Sequence, residues 1–209
     1  MVGRIIQTQA DIAEGLEWLC KAEPRFAIAA ESCPELPLRL KNDGFAELLS
    51  AITSQQLSVA SAGAIWARIE AAGMTHPDAI RAAHDDDLRA CGFSRPKILY
   101  ARDLAAANIN YSKLRTTPTD DVIAELVRIK GIGPWTAEIY AMFSLGRADV
   151  FAPGDLALQE SARVLFDMDA RPKERAFREM AEAWSPWRSV AARLLWSYYH
   201  VLKDRDGIR

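Results

Sequence analysis

The chain is poor in the residues that build metal centres. Its 209 residues hold three cysteines, Cys20, Cys33 and Cys91, an odd and scattered set with no C-x-x-C. That spacing assembles neither a zinc site nor an iron–sulfur cluster. Buried, reduced thiols are the simpler role. The histidines, His76, His84 and His200, lack metal-ligand spacing too. No apolar run reaches the roughly 18 residues that a membrane span needs. The first residues, MVGRIIQTQADIAEG, carry acids where a signal peptide would be apolar without interruption. The expectation is a cytoplasmic protein with no membrane partner. An excess of charge is also missing, since the net charge is −2. That excludes coating nucleic acid by bulk charge, but not gripping a few phosphates locally.

Half of the residues are hydrophobic and about a quarter are charged, as in a globular protein with a real core. Strand signals are scarce and helix punctuation is dense. Thr8 can cap a helix, with Asp11 as the acid three residues on and Ile12, Leu16 and Leu19 at helical spacing behind it. ESCPELPLRLKNDG reads as a loop around Pro34 and Pro37. Helical patterns then follow one another, each closed by Gly, Pro or a polar cluster. In DVIAELVRIKG, Thr119 or Asp120 is the candidate cap. Val122, Ile123, Leu126, Val127 and Ile129 form the apolar stripe, and Gly131 ends the helix. Ser185 is placed to cap a last long helix, with Pro186 in its first turn. No repeat or long linker interrupts the pattern. The fold class is all-α.

Between Leu126 and Gln159 stands LVRIKGIGPWTAEIYAMFSLGRADVFAPGDLALQ. Lys130 to Trp135 reads as a helix end, a very tight turn and a new helix. Gly131 permits positive φ, Gly133 permits close approach of a ligand to the backbone, and Pro134 suits a first helical turn. Amides at such a helix start attract phosphate. Asp155, after Pro153 and Gly154, reads from composition as a plain helix cap.

Taken together, SAITSQQLSVASA, KGIGPWTA and DVFAPGDLAL resemble, in order, three motifs of the helix-hairpin-helix (HhH-GPD) DNA glycosylase superfamily. The likeness runs from about Phe45 to His200. It is to the alkyl-purine branch, the DNA-3-methyladenine glycosylase II type, in its compact form without an N-terminal β domain. The resemblance implies two helical lobes, 1–40 plus 150–209 and 41–149, with the hairpin at 126–137 and the active site in the cleft between them. It implies a base-excision enzyme, acting as a monomer, that flips and hydrolytically removes alkylated purines from double-stranded DNA.

The roles it implies can be placed residue by residue. Asp155 falls on the essential aspartate; the acid that precedes it in some relatives is Gly154 here. Breaking the base–sugar bond builds positive charge on the sugar, which one carboxylate can stabilise while it orients a water. Trp135 and Trp196 match the pocket tryptophans, whose faces would attract a cationic alkylated base. A pocket tyrosine of some relatives falls on Ile139, with Tyr140 one place along. In strand-cutting relatives a lysine occupies the place of Trp135, so the expectation is a monofunctional enzyme that uses water. The wedge that fills the vacated stack falls on Gln55 or Gln56, with Leu57 the next candidate. Gly131, Gly133, Lys130 and Thr136 would meet DNA phosphate, with Arg95 and Lys97 as further candidates. The carbonyls of Val127, Ile129 and Ile132 fall where the family holds a monovalent cation, so Na+ or K+ is expected there at most, and no cofactor. A DNA-binding module without catalysis, and a glycosylase for other damaged bases, are the rival readings; Asp155 and Trp135 argue against them respectively.

Overall fold

Thr8 closes the first turn of α1 (Gln9–Ala22) as its sequence predicts. Its Oγ1 accepts the Asp11 N–H, and the Asp11 carboxylate accepts the Thr8 N–H at 2.9 Å. α2 (Arg25–Ser32) follows, and then an irregular segment through both Pro34 and Pro37 up to Gly44. The computed structural model describes residues 2–205. Next come α3 (Phe45–Ser54), α4 (Val59–Ala71), α5 (Pro77–Ala82), α6 (Asp85–Cys91), α7 (Arg95–Ala106), α8 (Tyr111–Leu114), α9 (Thr119–Leu126) and α10 (Pro134–Phe143). α11 (Leu156–Leu165), α12 (Glu174–Ala181) and α13 (Arg188–Arg205) complete the chain. Among the described residues the only extended pairing is one antiparallel bridge, Ile5 with Arg147. No helix there is long and apolar enough to cross a membrane.

Two units result. One is Lys41–Tyr140; the other joins the two ends of the chain, up to Leu40 and from Ala141 on. The second boundary therefore lies inside α10, not at 149. Residues 141–149 are held by the terminal unit. The Ile6 N–H donates to Gly146 at 2.7 Å, the Ala148 N–H to Arg4 at 3.0 Å, and the Ser189 N–H to Ala148 at 2.9 Å.

In the central unit, Leu48, Leu49 and Ile52 of α3 bury one face with Ile98, Ala101 and Leu104 of α7. Arg102 crosses from α7 to cap the end of α5, donating to the Ile80 carbonyl and to the Ala83 carbonyl at 2.6 Å. In the terminal unit, Trp184 lies against Phe26, Phe151, Phe166 and Phe177, with ring centres 5.1 to 6.0 Å apart. α13 is the axis of this unit. Trp187, Val190, Ala191, Leu194, Leu195 and Tyr198 are buried, as the periodicity of its sequence requires. In the first half of the helix the opposite side is buried as well, since Ser189, Ala192 and Arg193 are at most 2% exposed, while Trp196 and Lys203 are half-buried and His200 is exposed.

Three helix ends differ from the sequence-based expectation. α9 begins at Thr119 with Pro118 at its N-cap and no side-chain cap, so neither Thr119 nor Asp120 caps it. Ser185 does not cap α13. Its hydroxyl donates to Asp149 at 2.8 Å, the Ser185–Pro186 peptide is cis, and the helix begins at Arg188. α9 stops at Leu126, five residues before Gly131, because the chain there turns back on itself in short hydrogen-bonded steps. Of its expected stripe, Val122, Leu126 and Ile129 are buried and Val127 is 37% exposed.

α1 crosses α13 at Gly15. A Cβ at that position would stand 2.6 Å from Trp187 Cε3 and 2.7 Å from Val190 Cγ2. Replacing Gly15 by Ala gains about 0.5–1 kcal/mol of helix propensity. It forces an overpacked core costing about 1–3 kcal/mol. Gly15→Ala should therefore lower stability in urea unfolding; an unchanged or higher midpoint would mean that the two helices can separate freely.

Candidate active site

In the central unit, the turn after α9 is closed from inside and open outside. The Ile129 N–H donates to Leu126 at 3.1 Å, the Ile132 N–H to Ile129 at 3.0 Å, and the Ala137 N–H to Gly133 at 3.1 Å. Gly131 has φ +88°, which a side chain resists, and a Cβ there would sit 2.4 Å from Tyr100 Cγ. α7 thus braces the turn with two residues three apart. Tyr100 packs on Gly131, and Asp103 accepts the Lys130 N–H at 2.8 Å. Gly133 differs: a Cβ there would meet nothing within 4 Å. With Pro134 and Trp135, which is 45% exposed, it forms an open rim at the start of α10. Thr136 is buried, so its side chain is part of the support and not of that rim. The Lys130 side chain is exposed. Of the three carbonyls expected to hold a cation, that of Ile129 already accepts the Ile132 N–H. The described residues contain no cluster of three His, Cys, Asp or Glu side chains that could hold a metal.

The two glutamines have different environments. Gln55 ends α3, and its Nε2 donates to the Gly131 carbonyl at 2.8 Å. Its side chain therefore belongs to the hairpin. Gln56 stands in the left-handed region with φ +58° and is exposed, as is Leu57. Ser58 then caps α4 by accepting the Ser61 N–H at 3.2 Å. Lys97 is also committed within the fold, donating to the Thr53 carbonyl at 2.6 Å, and burial pulls its pKa down. Arg95 is exposed. Tyr140, expected in the substrate pocket, is only 3% exposed, and its hydroxyl accepts the Gly44 N–H at 2.9 Å. Burial, the largest cause, pushes its pKa up to about 12. It is a core tyrosine of the central unit; Ile139 beside it is half-buried.

In the terminal unit, Asp155 is the N-cap of α11. Its Oδ1 accepts the Ala157 N–H at 2.9 Å and the Leu158 N–H at 3.2 Å. The Pro153–Gly154 turn before it is pinned on both sides. The Asp155 N–H donates to Ala152 at 3.0 Å, and the buried Gln159 Nε2 to Pro153 at 2.7 Å. α11 is tied to α13 by the buried Ser161 hydroxyl, which donates to the Leu195 carbonyl at 2.7 Å. The next residue of α13 is Trp196, half-buried, its ring centre 5.8 Å from that of Phe143. Asp155 and Trp196 thus stand on two helices locked together by one hydrogen bond. Sequence reasoning missed this tie and the Tyr100–Asp103 brace. It also missed Arg193, whose signal was an arginine within the apolar run VAARLLW.

Residues 49–186 match the model of the HhH-GPD superfamily of base excision DNA repair proteins. The chain belongs to that superfamily. Several of the similar proteins are named as 3-methyladenine glycosylases. DNA-3-methyladenine glycosylase 1 of Schizosaccharomyces pombe is 33% identical over 165 residues, spanning 75% of this chain and 72% of that protein. The crystal structure of a DNA-3-methyladenine glycosidase from Bacillus halodurans superposes with a TM-score of 0.82 at 31% identity, covering 91% of each chain. The S. pombe 3-methyladenine DNA glycosylase in complex with abasic DNA gives 0.76 at 29% identity, covering 88% of this chain and 95% of that one.

The two glutamines should separate in experiment. Gln55→Ala leaves the Gly131 carbonyl without its donor and should cost about 1 kcal/mol of stability. Gln56→Ala, at an exposed position, should stay within about 0.5 kcal/mol of the parent, while Gln56→Gly should be slightly stabilising because glycine tolerates positive φ. Equal destabilisation by both alanine variants in urea unfolding would show that Gln56 also supports the turn.

Proposed function

We propose that this protein removes alkylated purines, of the 3-methyladenine and 7-methylguanine type, from duplex DNA by hydrolysis of the base–sugar bond. The observation that carries the reading is the Asp155 carboxylate, oriented by two N–H groups of α11 within a turn pinned on both sides. Positive charge grows on the deoxyribose as its bond to the base breaks with the electron pair on the base. A carboxylate held in place stabilises that charge without reorganising. Water then bonds to the sugar carbon and gives up a proton, and the products are a free base and an intact abasic strand.

The other residues divide between grip and recognition. The open rim at Gly133, with the amides that start α10, would take a backbone phosphate; a monovalent cation on the carbonyls of Val127, Ile129 and Ile132 would add charge on that side. Gln56, exposed and uncommitted to the hairpin, is the favoured wedge, with Leu57 beside it. Trp135 and Trp196 would contact the extruded base. Tryptophan at 135 offers no amine to attack the sugar, so the strand should not be cut.

Incubating the protein with methylated duplex DNA and identifying the released bases tests the reading directly. The expected products are 3-methyladenine and 7-methylguanine, with no covalent adduct on borohydride trapping; a robust adduct would overturn the water-based reaction. Asp155→Asn separates catalysis from capping, because asparagine caps a helix about as well as aspartate. The variant should fold with nearly unchanged stability and still bind abasic DNA, while single-turnover excision falls by on the order of 10²–10³-fold. Normal excision by a folded Asp155→Asn protein would reduce the residue to a cap.

A further inference from the structure

Arg193 is a charge buried where α13 is otherwise apolar. The residue is 2% exposed. Its Nη1 donates to the Ser189 carbonyl at 3.0 Å and to the Ser189 hydroxyl, and its Nη2 to the Leu38 carbonyl at 3.1 Å. Its Nε is buried and has no hydrogen-bond partner. All of these acceptors are uncharged, and no described carboxylate pairs with the group. Burial, with Arg39 as a second cause, pulls its pKa down to about 10, so it stays charged at neutral pH. An unpaired buried charge is costly to desolvate, and an apolar side chain of similar volume is commonly no worse for stability.

The charge lies beside a groove. The guanidinium carbon is 4.7 Å from the centre of the Phe143 ring, on which Trp196 packs. Arg193 and Trp196 line one wall of a pocket of about 350 Å³ between the second half of α13 and the 34–39 segment, a volume suited to a small aromatic ligand. Arg39, His200, Glu35 and Asp204 line it too. Those four are exposed, so water and salt screen them, whereas Arg193 is not screened in this way.

We propose that this groove takes the extruded base and that Arg193 biases it toward lesions that are neutral in DNA and depart as anions, against lesions that are already cationic. The inference rests on the reading of Trp196 as a wall of the base pocket. When a neutral purine such as hypoxanthine is released, the bond to the sugar carbon breaks and its electron pair stays on the base. The base is negative until a proton from water or solvent reaches it. A fixed guanidinium nearby lowers the energy of that state. A 7-methylguanine base receives the same electron pair and gains as much from the guanidinium as it does so, but it enters the groove as a cation and is repelled there, so its transition state lies higher relative to free enzyme and DNA. An aromatic wall alone would favour the cation; the guanidinium over Phe143 offsets that preference.

The test is a ratio of kcat/KM values, taken from single-turnover rates at enzyme concentrations below saturation, hypoxanthine over 7-methylguanine, in duplexes otherwise identical. Contacts to the phosphates are common to both duplexes and cancel. Arg193→Met should lower the ratio by on the order of ten-fold, the effect of one charge at about 10 Å in an effective dielectric of about 20. Arg193→Lys should keep it near the parent value. Arg193→Gln, which keeps amide donors toward the Ser189 and Leu38 carbonyls but loses the charge, should lower it as much as Arg193→Met, and it decides the matter if Arg193→Met does not fold. A ratio unmoved by a folded Arg193→Met or Arg193→Gln overturns the inference, as does a parent protein that excises 7-methylguanine alone. Parent protein that releases neither base overturns the glycosylase reading itself, whereas release of both with an unmoved ratio removes only this inference.

Discussion

Enclosure of the first half of α13, Ser189 to Leu195, is the constraint on which the terminal unit depends. A stretch of helix buried all round must be met by a partner on every face, and each partner here meets it differently. α1 approaches through Gly15, which has no side chain to hold it off. α11 is joined by the Ser161 hydroxyl to the Leu195 carbonyl. The segment after α10 supplies the Ala148 carbonyl to the Ser189 N–H, and the irregular segment before α3 supplies the Leu38 carbonyl to Arg193. Four stretches far apart in sequence are thereby set by one helix. Any residue they carry, Asp155 included, inherits its position relative to Trp196 of α13 from that packing.

The same economy appears where the candidate site is built. Two of the N–H groups that α11 leaves unsatisfied at its start are the ones that orient the Asp155 carboxylate. A structural cap and a fixed charge are one arrangement. The hairpin repeats the principle in the central unit. Gly131 is pressed against Tyr100 and its carbonyl receives Gln55, which holds the inner side rigid. The outer side, at Gly133 and Trp135, is left open to whatever approaches. Sites placed on such braced elements keep their geometry better than sites on free loops.

Much of the local architecture is legible in the residue order alone. The 3.6-residue periodicity and the density of Gly, Pro and cap residues specify an all-α chain. The Thr8–Asp11 capping box is a local pattern that forms as written. Asp155 reads as a cap from its neighbours alone, and is one. Local readings fail where a distant partner competes for the same group. Ser185 looks like a cap, but Asp149 takes its hydroxyl. Lys97 looks like a surface cation, but the Thr53 carbonyl takes its amine. Gln55 and Gln56 are alike in sequence, and only the position of Gly131 distinguishes them.

What the sequence by itself determined is therefore the set of helices, the tight glycine turn and the place of the acid after Pro-Gly. Each follows from interactions within a few residues, whose geometry is nearly the same in any fold. Tertiary structure alone decided which polar groups remain available to a ligand and which are consumed. Hydrogen-bond donors and acceptors are satisfied by the nearest partner in space, so Tyr140 serves Gly44 and Arg193 serves Leu38, positions 96 and 155 residues away in the chain.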